Sequence, residues 1–130
     1  MPKLWVQQKF VEAIKGGSVF WAWFYYLLGA DVNQTFNFRE FHFSRHLSQK
    51  EFVLEEGAFT PLMWSVLHGC NKSMQHFLVN KGAKLNAYIT SENCWYADCN
   101  LKGYSALSFV IAFCVFGDGE DLEDAILGLI

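Results

Sequence analysis

Thr60-Pro61-Leu62-Met63-Trp64-Ser65-Val66-Leu67-His68-Gly69, then Met74-Gln75-His76-Phe77-Leu78-Val79, then Gly82-Ala83-Lys84-Leu85-Asn86, is the stretch on which the fold turns. Thr60 offers a side-chain oxygen to the free N–H groups of a helix start, and Pro61 carries a φ already suited to the first turn. The apolar run behind them makes one helix, and Met74 to Val79 makes a second. Gly82 then supplies a residue able to enter the left-handed region and close it. The order is start, inner helix, tight turn, outer helix, cap and loop.

Working outward, parts of this unit recur. Gly29-Ala30-Asp31-Val32-Asn33 matches Gly82-Ala83-Lys84-Leu85-Asn86, and the apolar segment Val19 to Leu28 precedes the first copy. Ser105-Ala106-Leu107 repeats the start at Thr60-Pro61-Leu62, again with an apolar run behind it. The stretch 60–86 resembles one full ankyrin repeat: the signature Thr-Pro-Leu-His-x-Ala is met at Thr60, Pro61 and Leu62, with Met63 where His is usual and Ser65 where Ala is usual. The resemblance implies an all-α, ankyrin-like helical repeat stack, a single domain over 1–130, with repeats at about 4–33, 57–87 and 103–130. Helix pairs are expected near 4–15 and 18–28, 61–68 and 73–80, and 106–115 and 121–128. It also implies a non-catalytic, protein-binding role. Asn86 loosely resembles the asparagine that hydroxylases modify in this family, although Lys84 stands where Asp is usual.

The spacing departs from a plain repeat of about 33 residues, because Gly29 and Gly82 lie 53 positions apart. The surplus falls in two insertions, about 34–56 and 88–102, on the side where repeat loops carry function. In the first, Phe36, Phe38, Phe41 and Phe43 alternate on either side of Arg39-Glu40, which predicts a short hairpin turning there, with Leu47 to Glu56 adding a helical turn or two. The second holds Tyr88, Trp95 and Tyr96 among polar spacers. Trp, Tyr and Arg are the residue types most enriched at binding hot spots, so Trp95, Tyr96, Tyr88, Phe38, Arg39 and Phe41 are the expected partner-binding residues.

One segment resists the scheme. Ser18 to Leu28 is apolar on every side, a pattern that belongs to a helix buried all round, yet no earlier repeat lies before it to cover it. The cheapest expected cover is the first insertion folding back with Phe36, Phe38, Phe41 and Phe43. A two-fold homodimer through Phe20, Trp21 and Trp23 is the alternative. At the other end, Leu122, Ala125, Ile126 and Leu129 share a helical face, while the carboxylates of 118–124 suit its first turn and a polar outer surface.

Composition narrows the function classes. The 130 residues are 52% hydrophobic and 18% charged, and 13 Phe, 5 Trp and 5 Tyr demand either a core or a partner. A net charge of −3 leaves no excess of cations to release counterions, so nucleic acid is not expected as a ligand. The apolar runs 19–28 and 106–116 are shorter than the roughly 20 residues of a membrane span, and no membrane role is expected. The N-terminal segment lacks the apolar core of a secretory signal, which points to a cytoplasmic protein with its four cysteines as thiols. Gly16-Gly17 and Gly117-Asp118-Gly119 read as turns rather than phosphate loops, and no cofactor is expected. The competing class is a small zinc-binding or cysteine-dependent enzyme domain built on Cys70, Cys94, Cys99 and His68. Against it, His68 and Cys70 fall in an inter-helix turn, and neither His68 nor His76 has an evident orienting third residue.

Overall fold

The computed structural model describes residues 3–44, 47–69, 72–96 and 99–109. Two helices open the chain, α1 (Leu4–Lys15) and α2 (Val19–Leu27), followed by the strands β1 (Phe36–Ser44) and β2 (Leu47–Leu54). Then come α3 (Pro61–Leu67), α4 (Lys72–Asn80), the short strands β3 (Trp95–Tyr96) and β4 (Cys99–Asn100), and α5 (Ala106–Phe109). The expected all-α repeat stack is therefore overturned: the architecture is mixed, helices with an antiparallel β1–β2 hairpin and a small β3–β4 pair. The expected helix at 121–128 and its acidic cap lie outside the described residues.

The helix signals act as their chemistry dictates. Thr60 Oγ1 accepts the N–H of Met63 at 3.2 Å, and Ser18 Oγ accepts that of Trp21 at 3.3 Å. The two Gly-Ala copies close α2 and α4 with the same bonds. Gly29 and Gly82 both take positive φ. Ala30 N–H donates to Tyr25 O at 3.1 Å, and Ala83 N–H to Leu78 O at 3.0 Å.

Side-chain amides then tie these caps to their neighbours. Gln7, fully buried on α1, donates to Asp31 O at 2.8 Å and accepts Asp31 N–H at 2.9 Å. Asn33 does the same one step on, donating to Gly82 O at 3.0 Å and accepting Lys84 N–H at 2.8 Å. The two helix caps are thus alike, and the first is bonded to the second.

The first insertion differs from its expected form. The ladder runs unbroken through Arg39-Glu40, pairing Phe38 with Phe52 and Arg39 with Glu51, and its irregularity comes only between His42 and Ser44. The change of aromatic phase at residues 39–40 does not reverse the chain, and residues 47–54 form a strand rather than a helical turn because β1 offers them a complete ladder. At the hairpin's base Phe36 and Phe59 exchange both backbone bonds, at 2.9 and 3.0 Å, directly before α3. That link sends the aromatic face onto α3: Phe36 stacks on Phe52 at 5.5 Å and meets Trp64 edge-on at 5.4 Å, while Phe38 lies 5.4 Å from Trp64. The expected fold-back over α2 does not occur. All seven residues of α3 are buried, whereas in α2 only Ala22 is. Among the described residues, no helix is long and apolar enough to cross a membrane.

Candidate functional site

Because the hairpin is pinned to α3, its first strand borders a cleft that the second insertion closes from the far side. The cleft encloses about 940 Å³. Val11, Phe38, Phe59 and Trp64 give it an apolar lining; Glu12, Lys15, Arg39, Lys50 and Glu55 add charge; Asn37, His68, Asn93 and Trp95 complete it. Three of the expected binding residues, Phe38 and Arg39 from one insertion and Trp95 from the other, therefore converge on one site. Their separation of more than 50 positions in the chain is bridged by the fold.

Glu55 holds the two insertions together. Its Oε2 accepts Asn37 Nδ2 at 2.8 Å and Ser91 Oγ at 3.1 Å, and its Oε1 lies 3.8 Å from Arg39 Nη2. Asn37 also donates to Asn93 O at 3.1 Å, and Gly57 O accepts the N–H groups of Thr90 and Ser91 at 2.8 and 3.0 Å. Gly57 sits at φ 76°, and any Cβ there would collide with Thr90 Oγ1, so glycine is required for this close approach. Sequence reasoning missed Glu55, Asn37 and Gly57, since nothing in their local pattern reports a partner in the second insertion more than 30 residues away. The aromatic residues were findable because hot-spot types stand out in a polar loop.

No protein-family model, curated protein or solved structure matches the chain. The site is therefore judged on its own chemistry. Trp95 is 58% exposed, and Arg39 is exposed apart from its contact with Glu55, so both present free surface. Tyr88 is exposed too but does not line the cleft; its backbone bridges Ser105. Tyr96 is placed by its backbone opposite Cys99, and Phe41 opposite Gln49; their side chains lie outside the described residues.

Among the described residues, the cysteine and histidine side chains do not gather into one site. Cys94 is fully buried, and that burial, reinforced by the Glu55 charge against an opposing hydrogen bond with Ser91, leaves its thiol pushed up to about 11. A thiol so reluctant to ionise is a poor nucleophile. Cys99 is half-buried on β4, His76 is exposed on α4, and Cys70 lies outside the described residues. Among the described residues, no three His, Cys, Asp or Glu side chains gather as a metal site needs. His68 closes α3 with its ring 4.3 Å from that of Trp64, and burial followed by the nearby Lys15 charge lowers its pKa. Asn86, the second-copy counterpart of Asn33, is exposed.

Proposed function

We propose that this chain is a non-catalytic protein-binding module whose cleft takes a segment of a partner protein. The observation that carries the reading is the meeting of Phe38, Arg39 and Trp95 on one cleft, an apolar lining with an aromatic and a guanidinium at its rim. That composition suits an apolar anchor flanked by a carboxylate, because Lys15, Arg39 and Lys50 outnumber Glu12 and Glu55. The two capped helix pairs, on which the resemblance to the ankyrin family rests, support the same role. The setting is cytoplasmic, and neither nucleic acid nor a membrane is the ligand.

The test is comparative capture. Immobilised protein, its Trp95→Ala and Arg39→Ala variants, and an exposed control, Leu107→Ala, are presented with the same lysate and the retained proteins are quantified. The expected result is one or more proteins reduced about fivefold or more by both cleft variants and unchanged by the control. Identical retention by all four proteins would remove the cleft from the function.

A further inference from the structure

The helix α2 carries a second surface, independent of the cleft. Phe20, Trp21, Trp23, Phe24, Leu27 and Leu28 are all exposed, Phe20 at 62% and Leu27 at 60%. The spacing of positions 20, 23, 24, 27 and 28 is the i, i+3, i+4, i+7, i+8 pattern by which a helix buries a face, here turned outward. No Asp, Glu, Lys or Arg occurs from Gly16 to Ala30. The rings already rest on one another: Phe20 meets Trp21 edge-on at 5.3 Å, and Trp21 meets Phe24 at 5.5 Å. A docking partner therefore freezes little that is still free, which lowers the entropic cost of association.

Magnitude separates this face from ordinary surface. At about half exposure each side chain offers roughly 100 Å², so α2 presents roughly 600 Å² of apolar area. That area stands at the top of the roughly 300–600 Å² found for the largest patch on a soluble monomer, and two such faces together supply the roughly 1,200 Å² at which stable interfaces begin.

We infer that this face is covered by a second copy of the chain, as a two-fold dimer through α2. A partner of another kind is read by charge and hydrogen bonds, and non-obligate interfaces are only about as apolar as ordinary surface; homodimer interfaces are the more apolar class. A segment with no charge in fifteen residues fits the homodimer. The i, i+4, i+8 ridge Phe20–Phe24–Leu28 of one copy lies in the groove beside that ridge on the other, and the two-fold closes the contact, so assembly stops at two.

Sedimentation equilibrium of the intact chain across a range of dilutions tests this, together with Phe20→Glu/Leu27→Glu, which brings carboxylates against their own symmetry mates. The expected result is a dimer in the micromolar range or tighter, weakened about 100-fold or more in the variant while its helical circular dichroism is kept. Should the double variant lose its helical signal, Phe20→Ala/Leu27→Ala takes its place, with about tenfold weakening expected. Four results would each overturn the inference. These are a monomer at every concentration, a dimer indifferent to the substitutions, open-ended growth, or a monomer that floats with phosphatidylcholine–phosphatidylserine vesicles. The last would assign the face to a lipid surface.

Discussion

Helices α3 and α2 are both apolar nearly all round, and they meet opposite fates. Every residue of α3 is buried, because α1, α4 and α5 pack on it and the aromatic face of the hairpin closes over Trp64. Helix α2 touches α1 and α4 and leaves its outer half open. Apolar periodicity thus reports that a face needs covering; what covers it is decided by where the neighbouring chain is bonded. Here the paired bonds between Phe36 and Phe59 commit the hairpin to α3.

The strongest way to break the contrast is to remove that cover. Phe36→Ala deletes a fully buried ring touching Phe38, Phe52, Phe59 and Trp64, and is expected to cost about 3–5 kcal/mol in urea unfolding. It should also raise Trp64 accessibility to a fluorescence quencher. A direct pairing of the two helices comes next. Leu62→Ala on α3 should cost about 2–5 kcal/mol, whereas Leu27→Ala on α2, measured in protein dilute enough to be monomeric, should stay within about 0.5 kcal/mol. Equal losses would show that α2 is packed as tightly as α3.

Smaller effects sharpen the picture. Gly57→Ala forces a side chain into the left-handed region and against Thr90, and a loss of about 1–3 kcal/mol is expected. Wild-type stability in that variant would mean the two insertions are not tied at this point. Thr60→Ala removes the α3 cap and should lower stability by about 1 kcal/mol. The least effect is a pH slope from His68. Its pKa in the folded protein is lowered, so the folded state favours neutral imidazole while the unfolded chain takes up a proton near 6.5. Its contribution is therefore complete above about pH 6.5 and declines as pH falls below that, levelling once the folded-state pKa is passed. Urea titrations at about pH 8 and about pH 5.5 should differ less in His68→Gln than in the parent.

Much of the framework was legible because it is written locally. Thr60-Pro61 and the two Gly-Ala caps fix helix ends within a few residues of themselves, and the helices begin and end close to those marks. The hairpin was legible only in part: Phe36 and Phe38 announce alternation, but Leu47 to Leu54 has no strong preference of its own and takes its form from β1. The all-α reading failed at that point. The destination of the hairpin was hidden too, since it depends on a backbone pairing between residues 36 and 59 that no side chain advertises. In the cleft, Trp95 and Arg39 could be picked out by type. Glu55 and Asn37 could not, because a hydrogen-bonding hub is defined by partners far along the chain.

The amide bridge from Asn33 to the second Gly-Ala cap has a bearing on how such a chain can change over generations. By engaging both the carbonyl of Gly82 and the N–H of Lys84, one side chain sets the spacing of the two caps without reference to what is threaded between them. A lengthened segment there adds closure entropy only slowly, about 0.6 kcal/mol for each doubling. The base of the hairpin is committed to α3 through Phe36, Phe38 and Phe52, so the freedom lies beyond those rings. Added or removed chain at the hairpin's far end leaves the register of the helical frame to the amide bridge.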